Sequence, residues 1–319
     1  MHLLKKATLV VIAMLMLGYG GLIAYAYWPS LEGKPAEDLA TAEDRFVSVN
    51  GMNIRYREYG TPSADKPNII FVHGFGNNLH SFHALIPLLV NDAYILALDL
   101  PGFGLSDKPI GYDYGNRNQS KTVVAFAKSL DILNPIYGGH SMGGAVALHA
   151  GLNDDKAKGL LFIDPGILGV GEASQRRFNF FPLPRIAAKQ FGNREWRAQM
   201  LRRSYEDRSV ITEDVIDNLM LASKTDDYLD GMTDLLGNNR PELDNEPDLA
   251  RVKSPTLAIW GELDGNHKPD EPERLHEGAV RQFPIRPETG RVELVVVRVR
   301  GFLLVSDVVE RHEVVNIPL

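Results

Sequence analysis

The chain of 319 residues contains no cysteine, which excludes disulfides, thiolate metal sites and a cysteine nucleophile. It also lacks runs of basic residues, and its formal net charge is −7, so a nucleic acid is not expected as a partner. We find neither an internal repeat nor a low-complexity tract. A hydrophobic content of 44% is sufficient for a substantial core, and the length fits one large α/β domain with an insertion.

One long segment near the N-terminus lacks charged residues altogether. Residues 7–28 follow Lys5 and Lys6, and a helix of this length can span a bilayer. Aromatic residues at its far end are typical of a membrane interface, and the two lysines favour an N-terminus inside the cell. We therefore predict an uncleaved, single-pass anchor at 1–28 that holds the globular part outside the cytoplasm. The alternative is a signal peptide cleaved at the small-x-small pattern of residues 24–26, followed by secretion.

The rest of the chain alternates short apolar runs with stretches of helical spacing. The runs predict strands at 46–49, 54–58, 68–72, 94–98, 135–138, 159–163, 256–260 and 292–297, and the spacing predicts a helix at 121–133. Asn50-Gly51 is a favoured hairpin turn between the first two strands. Strands that alternate with helices indicate a mostly parallel central sheet flanked by helices.

A segment of different character separates two of these strands. It contains an aromatic, proline-broken stretch at 178–182 and amphipathic stretches at 194–204 and 212–223, where Thr212 is a suitable helix start. We predict a linker at 29–45 that leads into the first part of the core at 46–165. An inserted helical cap at 166–250 then separates this part from the second part of the core at 251–319. The cluster of Phe178, Phe180 and Phe181 either packs in the core or lines an acyl pocket.

The most informative motif is Gly-His-Ser-Met-Gly at residues 139–143. A G-x-S-x-G segment between a strand and a helix is typical of a nucleophile elbow. Its glycines allow a turn tight enough to hold Ser141 in a strained conformation with an exposed hydroxyl. The turn also places the N–H of Met142 at a helix N-terminus, where it can stabilise an oxyanion. The alternative is a glycine-rich turn with an incidental serine.

Three further segments each follow a predicted strand. They are His-Gly-Phe-Gly at 73–76, Asp-Leu-Pro-Gly-Phe-Gly-Leu-Ser-Asp at 99–107 and Trp-Gly-Glu-Leu-Asp at 260–264. Together with the elbow, in this order and spacing, they resemble the α/β-hydrolase superfamily, and more narrowly its esterase- and lipase-like members with a helical cap. The resemblance covers the chain from residue 46 to the C-terminus.

The resemblance implies a role for each of several residues. Ser141 matches the family nucleophile, and Asp264 matches the acid that orients the catalytic histidine. The two backbone amides of the oxyanion hole map to Phe75 and Met142. Some relatives place the acid after the strand that precedes the cap, and Asp164 occupies that alternative position.

Other polar residues of these motifs are expected to be structural. The family uses the histidines of the two loops for structure, so His73 and His140 are not expected to act as the base. Asp99 and Asp107 are expected to serve as turn and hydrogen-bonding residues in the loop after the fourth strand.

The match breaks at the expected base. The family pattern requires a histidine shortly after the last strand, and Gly301 occupies that position. His312 would have to point back toward the serine from the following helix, while His267 and His276 would require loops that depart from the family. Two other interpretations remain open: a non-catalytic relative that kept its pocket, and a local alteration of the sequence in an active lineage.

The predicted lineage function is hydrolysis of a small hydrophobic carboxylic ester through an acyl-enzyme on Ser141, and this activity is impaired if no base replaces the histidine. No metal or organic cofactor is implied. One alternative is another serine enzyme, a carbon–carbon bond hydrolase or a haloperoxidase-like enzyme. The other is a non-catalytic protein that binds a hydrophobic ligand under the cap.

Overall fold

The fold is organised around one sheet. The structure is a computed structural model that describes residues 2–28, 32–168, 180–205, 207–238, 245–261, 274–275, 294–299 and 315–317. Within these residues, nine strands lie in the order β1-β2-β4-β3-β5-β6-β7-β8-β9. They are β1 Arg45–Val49, β2 Met52–Tyr59, β3 Asn68–Val72, β4 Tyr94–Leu98, β5 Pro135–Ser141, β6 Gly159–Pro165, β7 Thr256–Gly261, β8 Leu294–Val299 and β9 Val315–Ile317. The β1–β2 and β2–β4 pairs are antiparallel and the other pairs are parallel, which confirms the predicted mostly parallel sheet.

Helices connect and cover these strands. Those in the described residues are α1 His2–Tyr27, α2 Ala36–Leu39, α3 Ile86–Leu89, α4 Asn116–Ser129, α5 Met142–Asn153, α6 Leu183–Phe191, α7 Arg194–Arg203, α8 Glu213–Leu219, α9 Tyr228–Asn238 and α10 Glu246–Leu249. We call α6 to α9, which lie between β6 and β7, the cap helices. Short 3₁₀ turns at Leu79–Phe82, Arg208–Val210 and Ala222–Lys224 complete the connections.

The two faces of the sheet carry separate apolar clusters. Along β3, Ile70 and Val72 belong to the larger cluster, which includes buried residues of α4 and α5. Ile69 and Phe71 belong to the other cluster, with the turn at Leu79–Phe82. Because successive side chains of a strand point to opposite faces, an apolar run without alternation is what a strand buried on both faces requires.

Several element boundaries differ from the prediction. Helix α4 begins at Asn116 rather than at 121. The sequence pattern missed the first residues of the helix because they are polar and show no apolar period, although Gln119 and Ser120 are buried. The helix ends before Asp131, whose φ of 52° is incompatible with a continuing helix. Strand β8 covers Leu294–Val299, two residues beyond the predicted end at 297, while residues 292 and 293 lie outside the described residues.

Two local predictions agree with the structure. Asn50 and Gly51 have φ values of 52° and 81°, the two left-handed residues that a type I′ hairpin turn requires. Thr212 caps helix α8, since its hydroxyl accepts a hydrogen bond from the Val215 N–H at 3.3 Å. The predicted helix at 212–223 is shorter than expected, because α8 stops at Leu219 and a 3₁₀ turn follows.

A buried ionic network braces the loop that follows β4. The Arg55 guanidinium is almost fully buried and lies 2.8 Å from an Asp44 carboxylate oxygen and 3.0 Å from one of Asp99. Burial opposes ionisation of Asp44, but hydrogen bonds from Arg57 and the Thr41 N–H outweigh it and lower the pKa of that carboxyl. The pairing compensates a desolvation cost that a lone buried charge could not meet, so this network fixes the loop beginning at Asp99.

Helix α1 is the predicted apolar segment. An 18-residue window within its stretch Lys5–Tyr27 has a mean hydropathy of 2.1, and the stretch is long and apolar enough to cross a membrane. A signal sequence near an N-terminus meets the same criteria, so composition leaves both fates possible. The region predicted as a linker contains helix α2 and a strand-like bridge between Lys34 and Thr225.

The aromatic cluster before α6 differs from both of its interpretations. Phe180 and Phe181 are 68% and 51% exposed, so they neither pack in the core nor lie among the residues that line the described cleft. Their rings instead face Tyr19 and Tyr27 of α1 at centroid distances of 6.1 and 6.0 Å. Phe178 lies outside the described residues.

Candidate active site

The site is built around the junction of β5 and α5. Ser141 ends the strand and Met142 begins the helix. The backbone of Ser141 has φ 53° and ψ −123°, a left-handed conformation that non-glycine residues rarely adopt. The register against β6 shifts at this point, because His140 pairs with Ile163 whereas Ser141 pairs with Pro165. Strain of this kind is concentrated at functional sites.

The glycines of the motif are required by contact distances. A Cβ on Gly139 would lie 2.0 Å from the Gly143 carbonyl oxygen, and a Cβ on Gly143 would lie 2.1 Å from the Val72 oxygen. A Cβ on Gly144 would meet the Pro165 ring at 2.6 Å. The elbow can therefore pack against β3 and β6 only when these positions carry no side chain.

The loop after β3 passes directly beside the serine. A Cβ on Gly74 would lie 3.2 Å from the Ser141 Cβ and 3.2 Å from the His140 Nδ1. Phe75 follows Gly74, while Met142 follows the serine at the start of α5, where the first N–H groups have no acceptor within the helix. The structure thus brings together the three residues Ser141, Phe75 and Met142 that the sequence singled out.

His73 is a structural residue of this loop. Its Nε2 accepts a hydrogen bond from the Leu100 N–H at 3.1 Å, and its Nδ1 lies 2.8 Å from the Gly74 oxygen. Since Nε2 is the acceptor, the proton is on Nδ1 and is donated to Gly74. Burial lowers the pKa of His73 against the opposing charge of Asp99. The neutral ring therefore ties the loop after β3 to the loop after β4.

Asp99 and Asp107 act as hydrogen-bond acceptors, as expected. The Asp99 carboxylate accepts from the N–H groups of Leu79 and Leu105 at 2.7 and 2.8 Å, in addition to its pairing with Arg55. The Asp107 carboxylate accepts from the Asn53 N–H at 2.8 Å. These contacts hold the loop after β4 in shape.

Asp164 lies at the end of β6 with φ 40°. Its carboxylate accepts a hydrogen bond from the Gly261 N–H at 2.9 Å, which joins the carboxyl ends of β6 and β7. The side chain at the alternative acid position therefore bonds the backbone of Gly261, the last residue of β7. Asp264 itself lies outside the described residues, as do Gly301, His267, His276 and His312.

A small, partly open cleft lies between this loop cluster and the cap helices. The loops at 76–77 and 103–104 line one side, and residues of the cap helices, among them Phe191, Arg197 and Tyr228, line the other. The Phe75 ring contacts Phe103 and Phe191 at centroid distances of 5.5 and 5.9 Å. The cleft therefore adjoins the loop that carries the candidate oxyanion amide.

Arg197 is a component of the site that sequence reasoning missed. Only 3% of it is exposed. Its guanidinium donates a hydrogen bond to the Gly76 oxygen and lies 5.1 Å from the centre of the Phe191 ring. Burial lowers the pKa of Arg197 to about 10. The stretch at 194–204 contains four arginines, and its sequence carries no signal that distinguishes the inward one.

A family model now decides the classification of this arrangement. The model described as the alpha/beta hydrolase fold matches residues 67–290, which include the elbow, both loops and the cap helices. The chain belongs to the α/β-hydrolase family. The sheet order and the serine at the β5–α5 junction are the structural counterparts of that match.

Relatives and solved structures agree with this assignment. An uncharacterized hydrolase, YugF of Bacillus subtilis, is 30% identical over 239 residues, covering 74% of this chain and 86% of the relative. A membrane phospholipase A described as a bacterial virulence factor has a TM-score of 0.58 at 21% identity, covering 92% and 91% of the two chains. A meta-cleavage product hydrolase from Pseudomonas fluorescens has a TM-score of 0.60 at 19% identity, covering 80% and 89%. The structural likenesses show the shared fold, and the chain is a hydrolase by family.

Proposed function

We propose that the chain is a serine hydrolase that cleaves carboxylic esters through an acyl-enzyme on Ser141. The observation that carries this proposal is the left-handed backbone of Ser141, φ 53° and ψ −123°, at the strand-to-helix junction. A strained non-glycine residue in an elbow made possible only by surrounding glycines is what presentation of a nucleophile requires. In this proposal the catalytic core consists of residues 46–165 and 251–319, and residues 166–250 form the cap.

The backbone amides of Phe75 and Met142 would stabilise the oxyanion of the tetrahedral intermediate. Both amides adjoin the serine through Gly74 and the first turn of α5. One such donor is worth about 2.7–4 kcal/mol of transition-state stabilisation. Because the donors are main-chain groups, substitution of the Phe75 or Met142 side chain leaves them in place.

Asp264 is the proposed acid, and the position of the base lacks its histidine. Gly301 occupies the position where the family pattern has histidine. A serine hydroxyl without a base is a poor nucleophile at neutral pH, so the chain as it stands is expected to turn over esters slowly. Ligand binding under the cap helices does not depend on the histidine.

We also propose that α1 is a retained membrane anchor with the globular part outside the cytoplasm. Ala26, the last residue of the small-x-small pattern, is fully buried. The Lys189 ammonium donates to the carbonyl oxygens of Tyr25 and Trp28, at 2.6 and 3.4 Å, and so holds both sides of the would-be cleavage point. A cleaved helix would forfeit these contacts.

The substrate class is tested with three assays on the purified chain and on a Gly301→His variant: p-nitrophenyl butyrate hydrolysis, cleavage of a dienone, and peracid formation. We expect ester hydrolysis to be the fastest reaction and to increase most in Gly301→His. Cleavage of the dienone or formation of a peracid without ester hydrolysis would mean that the chain is a serine enzyme of another reaction class. Binding of a hydrophobic ligand with no turnover in either protein would favour the non-catalytic alternative.

A further inference from the structure

The cap helices are attached to the apolar helix α1 along one side. The Tyr19 hydroxyl donates a hydrogen bond to the Phe181 carbonyl oxygen at 3.0 Å. The rings of Phe180 and Phe181 lie against Tyr19 and Tyr27, respectively. The contacts therefore extend over the last nine residues of α1 rather than being confined to its end.

Two cations of α6 complete this attachment. The Lys189 ammonium bonds the carbonyls of Tyr25 and Trp28 and lies 4.8 Å from the Tyr25 ring centre. The last turn of α1 has no basic residue of its own, so Lys189 supplies the positive charge that a helix C-terminus favours. The Arg185 guanidinium lies 4.5 Å from the Tyr27 ring centre.

A second attachment follows α1 in the chain. The Lys34 N–H donates to the Lys224 oxygen at 2.9 Å, and the Asp226 N–H donates to the Lys34 oxygen at 3.0 Å. A Cβ on Gly33 would lie 2.3 Å from the Thr225 backbone, so this contact admits only glycine. Because the cap helices are attached to the chain on both sides of Trp28, their height along the axis of α1 is fixed.

This fixed height sets the depth of the two phenylalanines if α1 crosses a membrane. The 23-residue stretch Lys5–Tyr27 is about 34 Å long, and a hydrocarbon core is about 30 Å thick. The hydrocarbon boundary then falls within about 4 Å of Tyr27, and Tyr19 lies about 8–12 Å inside it. Phe180, in contact with Tyr19, is brought to the outer part of the acyl-chain region.

We propose that the anchor face of the cap, formed by Phe180, Phe181, Arg185 and Lys189, docks into a phospholipid bilayer beside α1. The proposal rests on the retained anchor proposed above and does not depend on the ester chemistry. Two adjacent phenylalanines that are half or more exposed to water gain a favourable environment among acyl chains. Lys189 then lies at the level of the anionic headgroups. Arg185 lies beside it, with its charge paired to Asp230.

The docked face and the candidate site share one helix. Helix α6 begins at Leu183, next to the exposed phenylalanines, and ends at Phe191, whose ring contacts Phe75. Its nine residues correspond to about 13 Å. Docking would therefore hold the loop that carries Phe75 about the length of α6 away from the lipid.

The absence of cysteine makes this depth measurable, because one introduced thiol gives one label. A nitrobenzoxadiazole label is placed on Phe180→Cys in the full chain, which is reconstituted in vesicles of equal phosphatidylcholine and phosphatidylglycerol. Doxyl-labelled phosphatidylcholine is the quencher. Leu15→Cys, 68% exposed and in the middle of α1, is the membrane control, and Leu133→Cys, 65% exposed and before β5, is the aqueous control. Phe180 has the same 68% exposure, so the three sites are matched.

We expect the label at position 180 to be quenched by the doxyl groups, as the label at position 15 is, while the label at position 133 is unaffected. A label at 180 that behaves like the one at 133, while position 15 is quenched, would overturn the docking proposal and leave the anchor intact. Failure of quenching at position 15 would remove both the anchor and the docking. Ester hydrolysis, measured separately on the same labelled proteins, is not expected to change at any of the three sites.

Discussion

Replacement of Gly301 by histidine is expected to raise the rate of p-nitrophenyl butyrate hydrolysis by about 10²–10⁴-fold, the range that a positioned general base contributes. The serine, its strained backbone and the two candidate oxyanion amides are already in place in the described part of the chain. Gly301 lies outside that part, and its choice rests on its position in the motif. The measurement is the initial rate with the purified full chain in detergent.

The controls for this prediction test whether the introduced histidine acts through Ser141. In the Gly301→His background, Ser141→Ala should remove the whole gain, whereas in the parent it should change the slow rate little, because groups of a catalytic unit are strongly non-additive. Gly301→Asn, which adds bulk without a base, should give no gain. A parent that is already active and loses activity in Ser141→Ala would mean that another residue is the base, and His312 would be changed next. A gain that survives Ser141→Ala would contradict the assignment of the nucleophile.

The second large effect is expected at the elbow itself. Gly143→Ala should lower the free energy of unfolding by at least about 3 kcal/mol, the upper end of the cost of overpacking. The added methyl would lie 2.1 Å from the Val72 carbonyl oxygen and 2.6 Å from that of His73. These are backbone atoms of β3 and its loop, so no change of rotamer relieves the overlap. Urea unfolding followed by circular dichroism measures the change.

Gly151→Ala is the matched control for this substitution. It lies on the same helix, α5, and its methyl would meet only the Leu160 side-chain end at 2.6 Å, which can move. The gain of about 0.5–1 kcal/mol from replacing a helical glycine by alanine should offset that adjustment. Equal stabilities of the two variants would show that the elbow does not pack as tightly against β3 as the structure indicates.

The sequence predicted the fold and the elbow because local patterns encode both. Continuous apolar runs specified β3 and β4, and Asn50-Gly51 specified the hairpin that joins β1 to β2. The spacing of Gly139 and Gly143 around Ser141 reflects contacts between a strand and the helix directly after it, which a short motif records. Boundaries were less accurate, as at Asn116, because polar residues buried by tertiary packing carry no periodic signal.

Contacts between distant parts of the chain could not be predicted in this way. Phe181 contacts Tyr19, which lies 162 residues away in the chain. The sequence of an exposed aromatic pair does not differ from that of aromatic residues in a core or in the lining of a pocket. Arg197 contacts Gly76 from a helix with several other arginines. Which arginine turns inward depends on how the cap helices sit on the loops, and this is a property of the folded chain.

The most direct test of the account is whether Ser141 becomes covalently modified. The parent and the Gly301→His variant are incubated with a fluorophosphonate and digested with trypsin, and the peptide spanning 129–156, which contains Ser141, is examined by mass spectrometry. We expect a phosphonate adduct on Ser141 that forms faster in Gly301→His and is absent in the corresponding Ser141→Ala proteins. An adduct on another residue, or no adduct on Ser141 in either protein, would contradict its assignment as the nucleophile.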